Sequence, residues 1–392
     1  MLAAGVRVLL AYLVFYAALG AAYPFLPVFY RDLGLALDEI GVLIAVQAGI
    51  MLVFGPVWGG LSDRFPRSRL ALPLAAAVAT AGAVVLYLSF GFLAVSIGAI
   101  VLFVGIAGVA PLLDARTLES LGSSARNRFG QVRAFGSLAF VVVTLIVGVM
   151  LDRFGPRSLF WVYIPMLALT VVVTATIPRR GSSVSVSLRR GMAAILAVRG
   201  VPLFLTGFVV VWTALSGTNT FYSIQMGAIG GSGAQIGLIW AIGAMVEVPI
   251  MYAFPRLAKR FGAERLLVIG AIAFAIRTGL SALATEPWQL LAIAPLEGVG
   301  FACMFVGGVT VLASRAPTGT GGTAQGLLTS GSGLATILGS TLGGVIAAAI
   351  GIPGLFAICA VVSVIGAGII VAAIVRPAAP SGATGDPVRS PG

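Results

Sequence analysis

The sequence of 392 residues contains no histidine, two cysteines and twelve acidic residues, and only 9% of it is charged. Without histidine, the commonest metal ligand and the usual base near neutral pH are both missing. With so few acids and no glycine-rich nucleotide loop beside a soluble domain, ATP hydrolysis and metal catalysis are both unsupported. A membrane-embedded enzyme would show acid pairs, histidines or metal ligands at a membrane face; none appear, and no cofactor or metal is implied. Cys303 and Cys359 fall in apolar stretches, where they read as small fillers and predict no disulfide.

What is present is mostly apolar, 59% of the chain, more than a soluble core of this size needs. A helix needs about 20 apolar residues to cross roughly 30 Å of hydrocarbon. The sequence offers twelve such spans, near residues 6–29, 40–61, 70–90, 93–113, 132–151 and 158–177, then 201–226, 236–254, 266–284, 288–313, 322–346 and 355–375. The expected fold class is therefore an all-α integral membrane protein. Ala17, Ala18, Ala21 and Ala22 imitate a leader cleavage site, but eleven further spans follow, so residues 6–29 read as the first span. Pro24 and Pro27 should bend its outer end.

A net charge of +12 in a soluble protein would suggest nucleic acid, but here the basic residues sit at alternate span ends. Twenty fall on one side and three, Arg31, Arg153 and Arg157, on the other, while Arg277 alone lies inside a span. This places the chain in the cytoplasmic (inner) membrane, surrounded by lipid, with both termini cytoplasmic and no nucleic-acid partner. Residues 178–200 form a basic linker across the cytoplasmic face. Residues 376–392, rich in Pro, Gly, Ala and Ser, read as a disordered cytoplasmic tail.

The chain repeats itself at an offset of 196. Between residues 38–70 and 234–266 nine of 33 positions are identical, including Gly41 with Gly237 and Arg64, Phe65, Arg69 and Leu70 with Arg260, Phe261, Arg265 and Leu266. The same offset pairs Gly130 with Gly326, Gly148 with Gly344 and Gly155 with Gly351. Because six is even, two six-helix halves, residues 1–177 and 201–375, are parallel repeats about an axis along the membrane normal, and a solute should bind between them.

The segment Gly59-Gly60-Leu61-Ser62-Asp63-Arg64-Phe65-Pro66-Arg67-Ser68-Arg69 resembles the signature loop between the second and third helices of the major facilitator superfamily. It departs at Pro66, where the pattern has glycine, and its second copy has Lys259 where Asp63 stands. Pro111 and Asp114, followed by Phe129, Gly130, Arg133, Gly136 and Ser137, resemble the phenylpropionate-permease branch, relatives of the lactose and nucleoside proton symporters. Glu247 with Pro249, Arg277, and Ala324-Gln325-Gly326 also fit that branch; where it carries histidines in its tenth helix, this chain has Glu297 and Phe305. The resemblance implies a monomeric secondary transporter working by alternating access, with a small-molecule solute and a proton as its cargo. It implies a cytoplasmic gate latch at Asp63, Arg64 and Arg67. Asp114 and Arg133 then flank the inner mouth of the cavity, either paired or as solvated loop charges.

Glu247, Arg277 and Glu297 fall inside the eighth, ninth and tenth spans. A charge at the bilayer centre costs roughly 2.5 to 3.5 kcal/mol, so something must compensate. At 1.5 Å per residue all three lie about 14 to 17 Å into their spans. Their counterparts at the 196 offset are Met51, Ala81 and Val101, so the site is one-sided. Two carboxylates against one guanidinium leave one acid unmatched, and burial favours its protonated form. Glu247 and Glu297 are thus candidate proton-coupling residues competing for Arg277, itself a candidate clamp for a solute carboxylate. The alternative is an ion cluster that only fixes helix packing.

The seventh span is the most polar, with Thr213, Ser216, Thr218, Asn219, Thr220, Tyr222 and Gln225. Its hydroxyls also bond their own helix backbone, so Asn219 is the candidate solute contact. Tyr16, Tyr23 and Gln47 are candidates from the first half, although tyrosines near span ends also serve as interfacial anchors. Together these residues favour proton symport of an organic acid, sugar or nucleoside. An apolar first half leaves proton-driven efflux of lipophilic compounds as the alternative, and a receptor that binds without flux as a third reading.

Overall fold

The computed structural model describes residues 2–64, 70–121, 125–177, 188–317 and 320–375, and every regular element among them is helical. The first half holds α1 (Leu2–Ala22), α2 (Leu26–Asp32), α3 (Leu37–Arg64), α4 (Ala71–Leu88), α5 (Phe92–Leu121), α6 (Ala125–Phe154) and α7 (Leu159–Ala175). After α8 (Leu188–Leu196) come α9 (Val201–Ala228), α10 (Gly233–Phe261), α11 (Ala263–Ala282), α12 (Pro287–Ile293), α13 (Pro295–Arg315) and α14 (Gly321–Val375).

Among the described residues, 11 segments are long and apolar enough to cross a bilayer, the last of them 54 residues long. A straight helix of that length would reach about 80 Å, far beyond roughly 30 Å of hydrocarbon. It breaks at Gly351, whose φ of 82° and ψ of 164° suit only glycine, so α14 has two legs and the spans number the expected twelve.

Proline shapes two other spans. The first ends as α1 at Ala22, leaves Tyr23 in a turn, and resumes as α2 with Pro27 in its first turn, where a missing N–H costs nothing. The tenth is also split, which the apolar pattern did not reveal: α13 restarts at Pro295, and the Glu297 N–H bonds back to the Ala294 carbonyl at 3.0 Å. The linker is more ordered than a plain tether. Its residues 178–187 lie outside the described residues, but 188–196 form α8, with Ile195 buried in one cluster with Val201 and Phe204. The expected tail, 376–392, also lies outside the described residues.

The halves meet where α3 crosses the first leg of α14 and where α6 crosses α10. Both crossings are built on glycine, and they match at the 196 offset. A Cβ on Gly41 would strike the Ser340 carbonyl, and one on Gly237 would lie 2.6 Å from the Thr144 carbonyl. Likewise Gly344 packs on Leu37 and Asp38, as Gly148 packs on Gly233 and Ala234. Each partner in one crossing is the 196 counterpart of a partner in the other, which is the arrangement a parallel repeat would produce. A third correspondence lies at the other end. Arg116 of α5 donates to the Ile177 carbonyl and Arg315 of α13 to the Ala373 carbonyl, each at 3.3 Å, and Ala373 is the 196 counterpart of Ile177.

The crossings loosen along the helices. Farther along α3 and α14, Gly49 has only the Ile337 side chain at 3.8 Å and Gly333 only Leu52, nearest at 3.5 Å; Gly59, Gly60, Gly322 and Gly326 have nothing within 4 Å. The space between the halves is thus closed at the ends where α3 and α10 begin, and widens toward the arginine-rich ends.

At the closed end, exposed Asp152 of α6 accepts from the Gly233 and Ala234 N–H groups at 2.5 and 2.9 Å, an anion on the positive end of α10 that ties the two halves together. Asp152→Ala is expected to raise the rate at which an impermeant maleimide labels a cysteine placed at buried Ser340 by about fivefold, the weight of one helix cap. An unchanged rate would mean this bond does not hold the crossing shut.

Candidate functional site

Three helices of the second half bring one charged ring together. Arg277 of α11 lies with Nη1 2.9 Å from Glu297 Oε2 of α13. The same Nη1 donates to Asn219 Oδ1 of α9 at 2.9 Å, and Asn219 Nδ2 donates to Glu297 Oε1 at 3.0 Å. Asn219 therefore bridges both members of the ion pair, with its amide oxygen toward the cation and its nitrogen toward the anion. Tyr222, three residues farther along α9, holds its ring face 4.0 Å from the guanidinium carbon, a cation–π contact that closes the remaining side.

The pair is unequally covered: the Arg277 side chain is 2% exposed and that of Glu297 14%. Both groups are mostly covered, the guanidinium almost completely. The break at Pro295 matters here, because it puts Glu297 in the first turn of a helix inside the membrane.

Glu247 is half-buried on α10, against α13. A Cβ on Gly298 would lie 2.7 Å from the Glu247 backbone nitrogen, and one on Gly243 would lie 3.4 Å from Glu297 Cγ. The two acids thus sit about one turn apart on helices that glycine lets approach closely. The pairing that the structure shows for Arg277 is with Glu297.

From the first half, Tyr23 reaches this region. The turn between α1 and α2 leaves it 57% exposed, its ring edge-on to Trp240 of α10 at 5.3 Å, and its hydroxyl is within electrostatic range of Glu297 and Arg277. Trp240 is held in turn by a bond from Nε1 to Ser223 Oγ at 2.9 Å. Gln47 lies elsewhere: it is buried, and its Nε2 donates to the Tyr30 hydroxyl at 3.0 Å, a bond inside the first half rather than a contact with the triad. Asp114 accepts from the Tyr12 hydroxyl, and Tyr12 stacks on Tyr16 with centroids 5.9 Å apart. Arg64 ends α3 exposed, Arg67 lies outside the described residues, and so do the side chains of Asp63 and Arg133.

Trp240 and Pro295 were not picked out from the sequence as parts of a site, and Tyr222 was named only among the polar residues of the seventh span. Two of them had a signal available. Tyr222 follows Asn219 at the spacing that shares a helix face, and Pro295 stands two residues before a buried acid.

The pattern of helices agrees with the comparisons to known proteins. A model of the MFS_1 like family matches residues 6–358. The chain belongs to that family. This MFS_1 like chain is 28% identical over 271 residues to the maltose permease of Geobacillus stearothermophilus, covering 68% of each. It is also 28% identical over 299 residues to the probable 3-phenylpropionic acid transporter of Escherichia coli (strain K12), covering 72% of this chain and 75% of that one. Its fold superposes on that of the nucleoside transporter NupG with a TM-score of 0.84 at 15% identity, over 95% of this chain and 99% of the other. The MFS_1 like chain is accordingly an integral membrane transporter of small solutes, and not an enzyme.

Proposed function

We propose that the chain is a proton-coupled symporter of the cytoplasmic membrane, carrying a small organic solute inward by alternating access. The observation that supports this best is the closed ring of Arg277, Glu297 and Asn219, with a second acid, Glu247, one turn away on the facing helix. In this reading the arginine-rich ends face the cytoplasm, so the conformation described is open inward and shut outward. Arg277 pairs with Glu297, and the proton is carried by Glu247 and Glu297 acting together. A neutral site crosses between outward-open and inward-open states without stranding a charge in a dry passage, and hydration from the cytoplasm then releases the proton. Tyr23 and Asn219 contact the solute from opposite halves.

The test is proton influx into proteoliposomes holding a trapped pH dye, with maltose, 3-phenylpropionate and uridine added separately. One of these solutes is expected to carry protons inward. Glu297→Gln and Glu247→Gln are each expected to reduce that influx at least tenfold, Glu247→Gln while leaving gradient-free solute exchange within about threefold. If an exchanging solute moves no protons, or both variants keep the wild-type influx, the coupling reading is wrong.

A further inference from the structure

Along α9 the ring residue Asn219 is followed at four-residue steps by Ser223 and Gly227, so one helix face runs from the charged ring toward the closed end. Ser223, Gly227 and Ala228 border a cavity of about 330 Å³, and Val28, Arg31 and Asp32 of the first half border it opposite them. Arg31, Asp32, Gly227 and Ala228 are exposed, so the cavity opens to the surface at the closed end. On α10, Trp240 comes three residues before Gly243, which packs beside Glu297, and lies about 4.5 Å nearer the start of that helix. Ser223 and Trp240 therefore share one layer, a turn beyond the ring, and the bond from Trp240 Nε1 to Ser223 Oγ joins them at 2.9 Å. Tyr23 meets this layer from the first half, edge-on to Trp240 at 5.3 Å. It is the 196 counterpart of Asn219, within electrostatic range of Glu297 and Arg277.

We infer that Trp240 is a gating residue: latched by Ser223 and braced on Tyr23, its indole bolts the passage between the outer cavity and the Arg277–Glu297 ring, separately from the glycine crossings. The order of ring, latch and cavity is fixed on a single helix, α9. The cavity has walls from both halves, so it belongs to the path between them and is not a hole inside one bundle. The indole N–H is a donor only, so its bond to Ser223 sets which way the ring points. Tyr23 is 57% exposed, so the brace across the halves is one aromatic contact. At the glycine crossings backbone meets backbone, and they part only if helices move. The bolt is made of side chains, which turn about their own bonds while the helices stay in place.

The inference rests on the reading that the closed end faces outward, and it stands apart from proton coupling. The test adds an impermeant maleimide outside cells that make the full chain with one reporter. The reporters are Ala244→Cys, half-buried one turn past Trp240 on the ring side, Ser340→Cys in a crossing, and Ala228→Cys at the cavity rim. The chain without a reporter gives the background from buried Cys303 and Cys359. Trp240→Ala should speed labelling of the Ala244→Cys reporter at least tenfold. Ser223→Ala, which removes only the latch, should speed it about fivefold, the weight of one hydrogen bond. Tyr23→Phe, which keeps the ring, should stay within about threefold of the parent. The Ser340→Cys reporter should stay slow throughout, because the crossings remain shut. Labelling of the Ala228→Cys reporter checks the orientation: if it is silent, the closed end faces inward, and the same rates are read in inside-out vesicles. The inference is overturned if neither Trp240→Ala nor Ser223→Ala speeds the Ala244→Cys reporter. It is equally overturned if the Ser340→Cys reporter speeds up with it, since the halves would then open as one unit.

Discussion

Arg277→Gln is expected to reduce transport at least a hundredfold and to destabilise the chain more than any other single change at the site. Removing one partner of a buried ion pair leaves the other charge uncompensated, which costs about 3–5 kcal/mol. Here the abandoned group is Glu297, mostly covered and bonded on its other oxygen to Asn219. The double variant Arg277→Gln/Glu297→Gln removes both charges and leaves three amides able to bond one another around Asn219. It should therefore recover most of the lost melting temperature, read by fluorescence in detergent, without recovering solute accumulation against a gradient. That contrast separates a working site from an ion cluster that only packs helices. A double variant that regained both stability and accumulation would make the pair structural, and a single variant as stable as the wild type would mean the pair holds nothing together.

The second large effect is expected at the crossings. Gly41→Val places a branched side chain where Gly41 now passes over the Ser340 carbonyl and Gly344, and Gly237→Val does the same against Thr144 and Leu145. These contacts are backbone on backbone, so no side chain can swing aside to make room. Either substitution should keep the halves from closing at that end and cut turnover at least a hundredfold. The folding of each half is left alone, since these contacts lie between halves, so the melting temperature should move by only a few degrees. The reading to make is labelling of a cysteine at Ser340 by an impermeant maleimide, which should become fast in Gly41→Val. Slow labelling with normal transport would show that the two helices separate and meet elsewhere.

Much of the architecture could be read from composition and register. Twelve spans follow from where apolar runs of helix length begin and end, and the merged last segment confirms the count because Gly351 can take a backbone angle that other residues resist. The 196 offset, found from identities such as Gly41 with Gly237, reappears as two matching glycine crossings. Asn219, Arg277 and Glu297 were each picked out singly, since a charge or amide inside a membrane span is costly and needs a reason. Gln47 shows the limit of that logic. It is as polar and as central as Asn219, yet its partner is Tyr30, and nothing local in the sequence distinguishes the two cases.

By itself the sequence determined the membrane-spanning class, the number of spans, the repeat and the residues whose charge demands a partner, because each depends on period, length or transfer cost along one helix. Tertiary structure alone decided that Arg277 pairs with Glu297, that Asn219 bridges the two, and that Tyr222 covers the cation. Those are relations between helices far apart in the chain, set by how α9, α11 and α13 rotate against one another, and a one-dimensional pattern carries no measure of that rotation.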